Sequence, residues 1–188
     1  MTPMKGSEVE LKAPPVFESY PAWMIILSVG LSLSIYALGS VIMARLGWEF
    51  LTVYLLGLVY FEVNLLAKSC VHCAYYGRAC FSGKGVIAAR LFERGDPSTF
   101  AKREVTWLAL LPDLLLTLVP LGVGLFLLVR GFDWVLLLLM IVLVILAFPG
   151  NGLVRSQLAC CHCRQRELGC PAEKLFQGRQ GDQPTRTG

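Results

Sequence analysis

Charge is scarce in this sequence: only 16% of its 188 residues are Asp, Glu, Lys or Arg, whereas 55% are hydrophobic. That balance excludes an ordinary soluble domain, which carries about 25% charged residues. Also missing are a glycine-rich phosphate loop, a hydrolase serine motif and any histidine within the apolar segments. No complete catalytic constellation is therefore legible. Cysteine and histidine are absent from the whole chain except two short stretches, residues 70–80 and 160–170.

What fills the rest is apolar sequence in four segments, roughly Ala22 to Met43, Phe50 to Ala67, Trp107 to Leu128 and Trp134 to Val154. Each approaches the ~20 residues that a helix needs to cross about 30 Å of hydrocarbon. The reading is an all-α integral membrane protein of four transmembrane helices, built as two duplicated helix hairpins, each followed by a cytoplasmic Cys/His metal-binding knuckle. The fourth segment is interrupted by Pro149-Gly150-Asn151-Gly152, where a break in the helix is expected. The first is expected to be a retained span, because it is long for a signal core and follows an acidic, proline-containing leader.

Basic residues sort strongly by side. Lys68, Arg78, Lys84, Arg90, Arg94, Lys102 and Arg103 lie in or beside the long central loop, and Arg155, Arg164, Arg166, Lys174, Arg179 and Arg186 lie in or beside the tail. Only Arg45 and Arg130 mark the two tight hairpins opposite. The positive-inside rule then places both termini and both cysteine motifs on the cytoplasmic side of the cytoplasmic (inner) membrane. Topology and anionic headgroups account for these basic residues, so no nucleic-acid partner is expected. The implied partners are the lipid bilayer, proteins of a membrane complex and a quinone.

The two cysteine stretches are copies. Cys70-Val71-His72-Cys73 is followed after six residues by Cys80, and Cys160-Cys161-His162-Cys163 after six residues by Cys170. Leu91-Phe92 and Leu175-Phe176 follow within short helix-like segments. The implied organisation is a flexible leader (1–21), a first repeat (22–103), a second repeat (104–178) and a tail (179–188), the repeats being parallel and related by an axis along the membrane normal. Thiols on the reducing side of a membrane point to metal ligation more than to disulfides or dithiol oxidation.

The candidate metal ligands are Cys70, His72, Cys73, Cys80, Cys160, His162, Cys163 and Cys170, enough for two tetrahedral sites or for one shared four-thiolate site with two cysteines in reserve. The metal is zinc or an iron-sulfur cluster, which the spacing leaves undetermined. Adjacent His72 and Cys73 are expected to diverge rather than share an ion. Cys161, matched by Val71, is a spare thiol. Tyr75 and Tyr76 become Gln165 and Arg166 in the second copy, so these tyrosines, like Tyr20 and Trp23, are read as interfacial anchors.

Beneath the motifs, Glu62, Asn64, Asp113 and Asn151 fall at similar depths and are expected to line one intramembrane polar pocket, since acids there are costly unless paired or wet. The composite reading is a small electron-transfer or redox-complex membrane subunit. A zinc-stapled scaffold or adaptor is one alternative, and an intramembrane enzyme or ion carrier using Glu62 and Asp113 is another.

Overall fold

The computed structural model describes residues 15–97, 99 and 107–166, with backbone only for 107–113. Among these the chain is helical, with no strand beyond one isolated bridge between Phe17 and Cys163. Helix α1 spans Ala22–Leu46 and α2 spans Trp48–Lys68. A short α3, Lys84–Leu91, lies in the central loop. Helix α4 spans Trp107–Arg130, and α5 runs from Trp134 to His162.

Three of these helices, α1, α2 with its continuation to His72, and α5, are long and apolar enough to cross a membrane. The third apolar segment is helical throughout as α4, of which Leu114–Arg130 is apolar helix with described side chains.

The hairpin between α1 and α2 is as tight as a chain allows. Gly47 alone joins the two helices, at φ 153° and ψ 156°. That region is accessible essentially only to glycine. At the opposite hairpin Asp133 caps α5 by accepting from the Val135 N–H at 2.9 Å, and it pairs with Arg45 at 2.8 Å, linking the two hairpin tips. These hydrogen bonds, the Val135 N–H before the Arg45 guanidinium, hold the Asp133 carboxyl below the ordinary carboxylate range.

Two apolar clusters hold the bundle, both centred on α1. Ile35 and Ile42 meet Leu136 and Leu143 of α5 in one, and Met43 meets Tyr54, Leu58 and Leu116 in the other. The second cluster contains a hydrogen bond that a proline makes necessary. Pro120 has no N–H to give the carbonyl one turn earlier, and the Tyr54 hydroxyl donates to that orphaned Leu116 carbonyl at 3.0 Å. Gly39 permits this, because a side chain there would collide with the Tyr54 hydroxyl. A Cβ at Gly30, one helical face away, would meet only open space.

The expected break in α5 does not occur. The helix passes through Pro149 by widening into a π-helical turn over Leu146–Gly150, with a second such turn at Arg155–Ala159. The extra residue per turn relieves the clash between the proline ring and the carbonyl of Ile145, and helical hydrogen bonding resumes at once. The span therefore neither breaks nor ends at Phe148, and its continuation carries the second cysteine motif.

Candidate metal centre and the cavity beneath it

Both cysteine motifs ride on the C-terminal ends of their helices and fold the same way. Cys70–His72 forms a single 3-10 turn closed by the Cys73 N–H to the Cys70 carbonyl at 3.3 Å, and Tyr76 N–H then bonds to the Cys73 carbonyl at 3.1 Å. Cys160–His162 repeats this, with Cys163 N–H to the Cys160 carbonyl at 3.4 Å and Arg166 N–H to the Cys163 carbonyl at 3.1 Å. In a 3-10 turn residues three apart eclipse, so each Cys-x-x-Cys pair shares a face.

The two turns grip each other reciprocally. Tyr75, two residues past Cys73, accepts from the backbone N–H of Arg164, one residue past Cys163, at 3.0 Å. Gln165, two residues past Cys163, accepts through Oε1 from the N–H of Ala74, one residue past Cys73, at 2.9 Å. Equivalent positions thus exchange equivalent bonds, as a two-fold axis between the knuckles requires. Tyr75 and Gln165 are 3% and 2% exposed, which corrects the reading of Tyr75 as a headgroup anchor. Its hydroxyl is consumed within the protein, donating at 2.6 Å to the Phe17 carbonyl.

The leader closes the pair. Phe17 N–H donates to the His162 carbonyl at 3.1 Å, and its ring stacks on the His162 imidazole at 4.6 Å. Tyr20, buried rather than interfacial, donates to the Ala159 carbonyl at 2.7 Å while its own N–H bonds to the Ala79 carbonyl. Trp23 beside it is exposed. Cys73, Cys80 and Cys163 all pack against the cluster of Tyr20, Met24 and Tyr75. Burial first, then the neighbouring thiols of Cys163 and Cys160, pushes the Tyr20 phenol well above its ordinary value, and burial pushes Tyr75 up as well.

The remaining candidate ligands differ between the copies. Cys80 Sγ accepts the Gly85 N–H at 3.2 Å. Gly85 is obligatory, since a Cβ there would strike the Tyr75 carbonyl. The His72 Nδ1 lies 3.0 Å from the Asp96 carbonyl, and its ring rests on Gly95. His162 Nδ1 is buried with no hydrogen-bond partner among the described residues, and so is Gln165 Nε2. Cys161 Sγ turns back to the Ser156 carbonyl at 3.1 Å. Cys170 and the Leu175-Phe176 segment lie outside the described residues. Among those described, no three His, Cys, Asp or Glu side chains are grouped closely enough to hold a metal ion.

Of the polar residues expected to share a pocket, Asn151 lines a cavity, Glu62 reaches it only through a hydrogen bond from Tyr36, and Asn64 lies elsewhere. Glu62 accepts from Tyr36 OH at 2.6 Å and pairs with Lys84 Nζ at 2.6 Å. Tyr36 and Asn151 both line a cavity of about 280 Å³ between α1, α4 and α5. Asn64 donates to the Tyr60 carbonyl of its own helix at 3.0 Å and does not join them. The Asp113 side chain is outside the described residues. Tyr36, Lys84 and Arg155, which complete this region, were missed by sequence reasoning. A neutral tyrosine in an apolar helix carries no depth penalty that would mark it.

Comparison of the chain with protein-family models, with curated proteins and with solved structures gives no match.

Proposed function

We propose that the protein is a four-span metalloprotein of the cytoplasmic membrane whose paired knuckles bind thiophilic metal, serving as a small electron-transfer subunit of a membrane redox complex. The observation that carries this reading is the buried His162 Nδ1, without a hydrogen-bond partner among the described residues, inside a Cys-x-His-Cys turn interlocked with its copy. A buried imidazole nitrogen without a partner costs about 1–3 kcal/mol, which ligation would recover. The donor chemistry fits a soft metal: three matched cysteines and one histidine per copy, Cys161 being additional in the second.

In the first knuckle Cys70, Cys73 and Cys80 would hold the metal, with the Gly85 N–H donating to the Cys80 sulfur and fixing its orientation. In the second, Cys160, Cys163 and Cys170 would do so together with His162. Ligation calls for side-chain rotation from the present arrangement, while the backbone turns already match. A bound iron-sulfur cluster would supply one-electron transfer at the membrane surface, and zinc would supply only a staple. The Tyr75/Gln165 interlock keeps the two centres at a fixed separation, which electron exchange between them needs. The basic residues of the central loop and tail support a cytoplasmic position for this end.

Metal analysis with an absorption spectrum of anaerobically purified protein tests the reading. Iron with acid-labile sulfide is expected. Stoichiometric zinc without visible absorption would sink the electron-transfer role in favour of a stapled scaffold, and absence of any bound metal would sink both.

A further inference from the structure

Only two basic residues lie in the hairpins at the end of the bundle away from the knuckles, and both line one pocket there. Arg45 comes from the last turn of α1, Arg130 from the last turn of α4, and Asp133 from the turn that caps α5. With Gly131 they surround a pocket of about 350 Å³ whose apolar walls are Leu127 and Leu136. A cation in the last turn of a helix offsets the macrodipole wherever it points. That role does not require two of them, from different helices, to converge on one apolar-walled pocket.

Donor capacity remains on the guanidiniums. Arg45 gives Asp133 one bond, from Nη1 to Oδ2 at 2.8 Å, out of the five N–H groups that the fork carries. Arg130 sits over the Phe126 ring, its guanidinium carbon 4.8 Å from the centroid, a contact that uses no acceptor oxygen. The Arg45 and Asp133 side chains are 47% and 37% exposed, so the pocket is open to an incoming group. Two arginines and one aspartate give the lining a net charge of +1, and Glu49, the other acid of these hairpins, is not part of it. This balance matches a phosphodiester, which carries one negative charge and oxygens that a guanidinium fork meets in pairs. A phosphomonoester, with about 1.5 to 2 negative charges near neutral pH, would leave charge uncompensated.

The level of the pocket selects the source of that phosphodiester. Trp48, Phe132 and Trp134 are exposed around the same hairpin ends, and aromatic residues of this kind seat at the headgroup level of a bilayer. From there the exposed Leu125 of α4 and Leu138 of α5 continue an apolar surface towards the middle of the bundle, as acyl chains need.

We propose that this pocket binds the phosphodiester of an anionic phospholipid of the phosphatidylglycerol type, seated between Arg45 and Arg130 in the leaflet opposite the knuckles. The ammonium of a choline or ethanolamine headgroup would meet two guanidiniums and an aspartate already bonded to Arg45 and to the Val135 N–H, so zwitterionic lipids bind more weakly. The inference rests on the membrane reading above but not on the metal.

The test is native mass spectrometry of the full chain, delipidated in detergent and titrated with dioleoylphosphatidylglycerol. One saturable lipid per chain is expected, with dioleoylphosphatidylcholine weaker by about fivefold or more. Apparent affinity should fall about tenfold in Arg45→Gln and in Arg130→Gln, as loss of charge-assisted hydrogen bonds implies. Arg130→Gln leaves the Arg45 pair intact and carries the test should Arg45→Gln lose helicity. Asp133→Asn should bind about threefold tighter, since the lining gains a positive charge, whereas a clasp with no ligand role gives no tightening. Arg90→Gln, exposed on the knuckle side, should change nothing. Binding that is not saturable, that phosphatidylcholine matches, that Arg90→Gln weakens as much as Arg130→Gln, or that Asp133→Asn fails to tighten overturns the proposal. So does displacement of the lipid by an equal concentration of glycerophosphoglycerol, which would make the ligand a soluble phosphodiester. Because the same spectra read bound metal as added mass, and Cys163→Ser should leave lipid binding intact, failure of the metal reading and failure of this one are told apart.

Discussion

The two knuckles share a backbone but not a state of completion. In the first, His72 Nδ1 has the Asp96 carbonyl, Cys80 has the Gly85 N–H, and Tyr75 uses its hydroxyl twice. In the second, His162 Nδ1 and Gln165 Nε2 are buried without partners among the described residues, and the leader residue Phe17 lies over the imidazole. The turn is thus fixed by local hydrogen bonding that any sequence of this spacing makes, whereas the satisfaction of side chains depends on the elements packed around each motif. The first copy has α3 folded back on it, and the second borrows its cover from the far end of the chain.

The largest effects should come from the cysteines themselves and distinguish one metal site from two. If each knuckle holds its own metal, Cys73→Ser and Cys163→Ser each remove about half of the bound metal by elemental analysis; a shared four-thiolate site loses all of it in either variant. Cys161→Ser should lose none, because that thiol bonds to its own helix.

Next comes the interlock, where the copies should differ in magnitude. Tyr75→Phe leaves the Phe17 carbonyl and the Arg164 N–H unpaired and should destabilise the purified protein by about 2–4 kcal/mol in denaturant titration. Gln165→Leu loses one bond but also removes the unpartnered Nε2, so its cost should be about 1 kcal/mol or less. Equal costs would show that the two positions are not the asymmetric pair described. Away from the knuckles, Tyr54→Phe should cost about 1–3 kcal/mol by exposing the Leu116 carbonyl that Pro120 leaves orphaned.

The smallest effect lies at the opposite end of the bundle. The Asp133 carboxyl is held below its ordinary value, so its contribution to stability is present above the unfolded pKa and is lost as pH falls through the lower folded one. Both partners of the Arg45 pair are well exposed, so Asp133→Asn should lower neutral-pH stability far less than Tyr75→Phe does, and the native and variant stability-against-pH curves should converge as the pH falls through the lower folded pKa. A comparable loss at neutral pH would mean that the hairpin tips, and not the knuckles, are the stronger clasp.

How far the sequence could be read depends on the range of the interactions involved. Helix boundaries were legible within a few residues except at the end of α5, which runs on past Val154 to His162, because long apolar runs bounded by Gly47 and Asp133 leave little choice of where a helix turns. Tyr20 and Tyr75 were misread, since a tyrosine beside an apolar helix looks the same whether its hydroxyl meets headgroups or a backbone amide 89 residues away. A signal was there in register: Tyr75 and Gln165 occupy the same place after their cysteines, and both side chains offer an acceptor. The continuity of α5 was hidden because a proline's effect depends on whether the helix can widen by one residue, which neighbouring contacts decide.

By itself, then, the sequence determined the helical segments, the duplication of the cysteine motif and its donor chemistry, all of which rest on composition and on spacing within a few turns. Only the tertiary structure decided that the two motifs clasp each other, that the leader covers them, and that Tyr36 links Glu62 to a cavity shared with Asn151. Those contacts join residues 26 to 139 positions apart. Which donor meets which acceptor over such distances is set by how α1 packs against the other helices, and no local pattern carries that information.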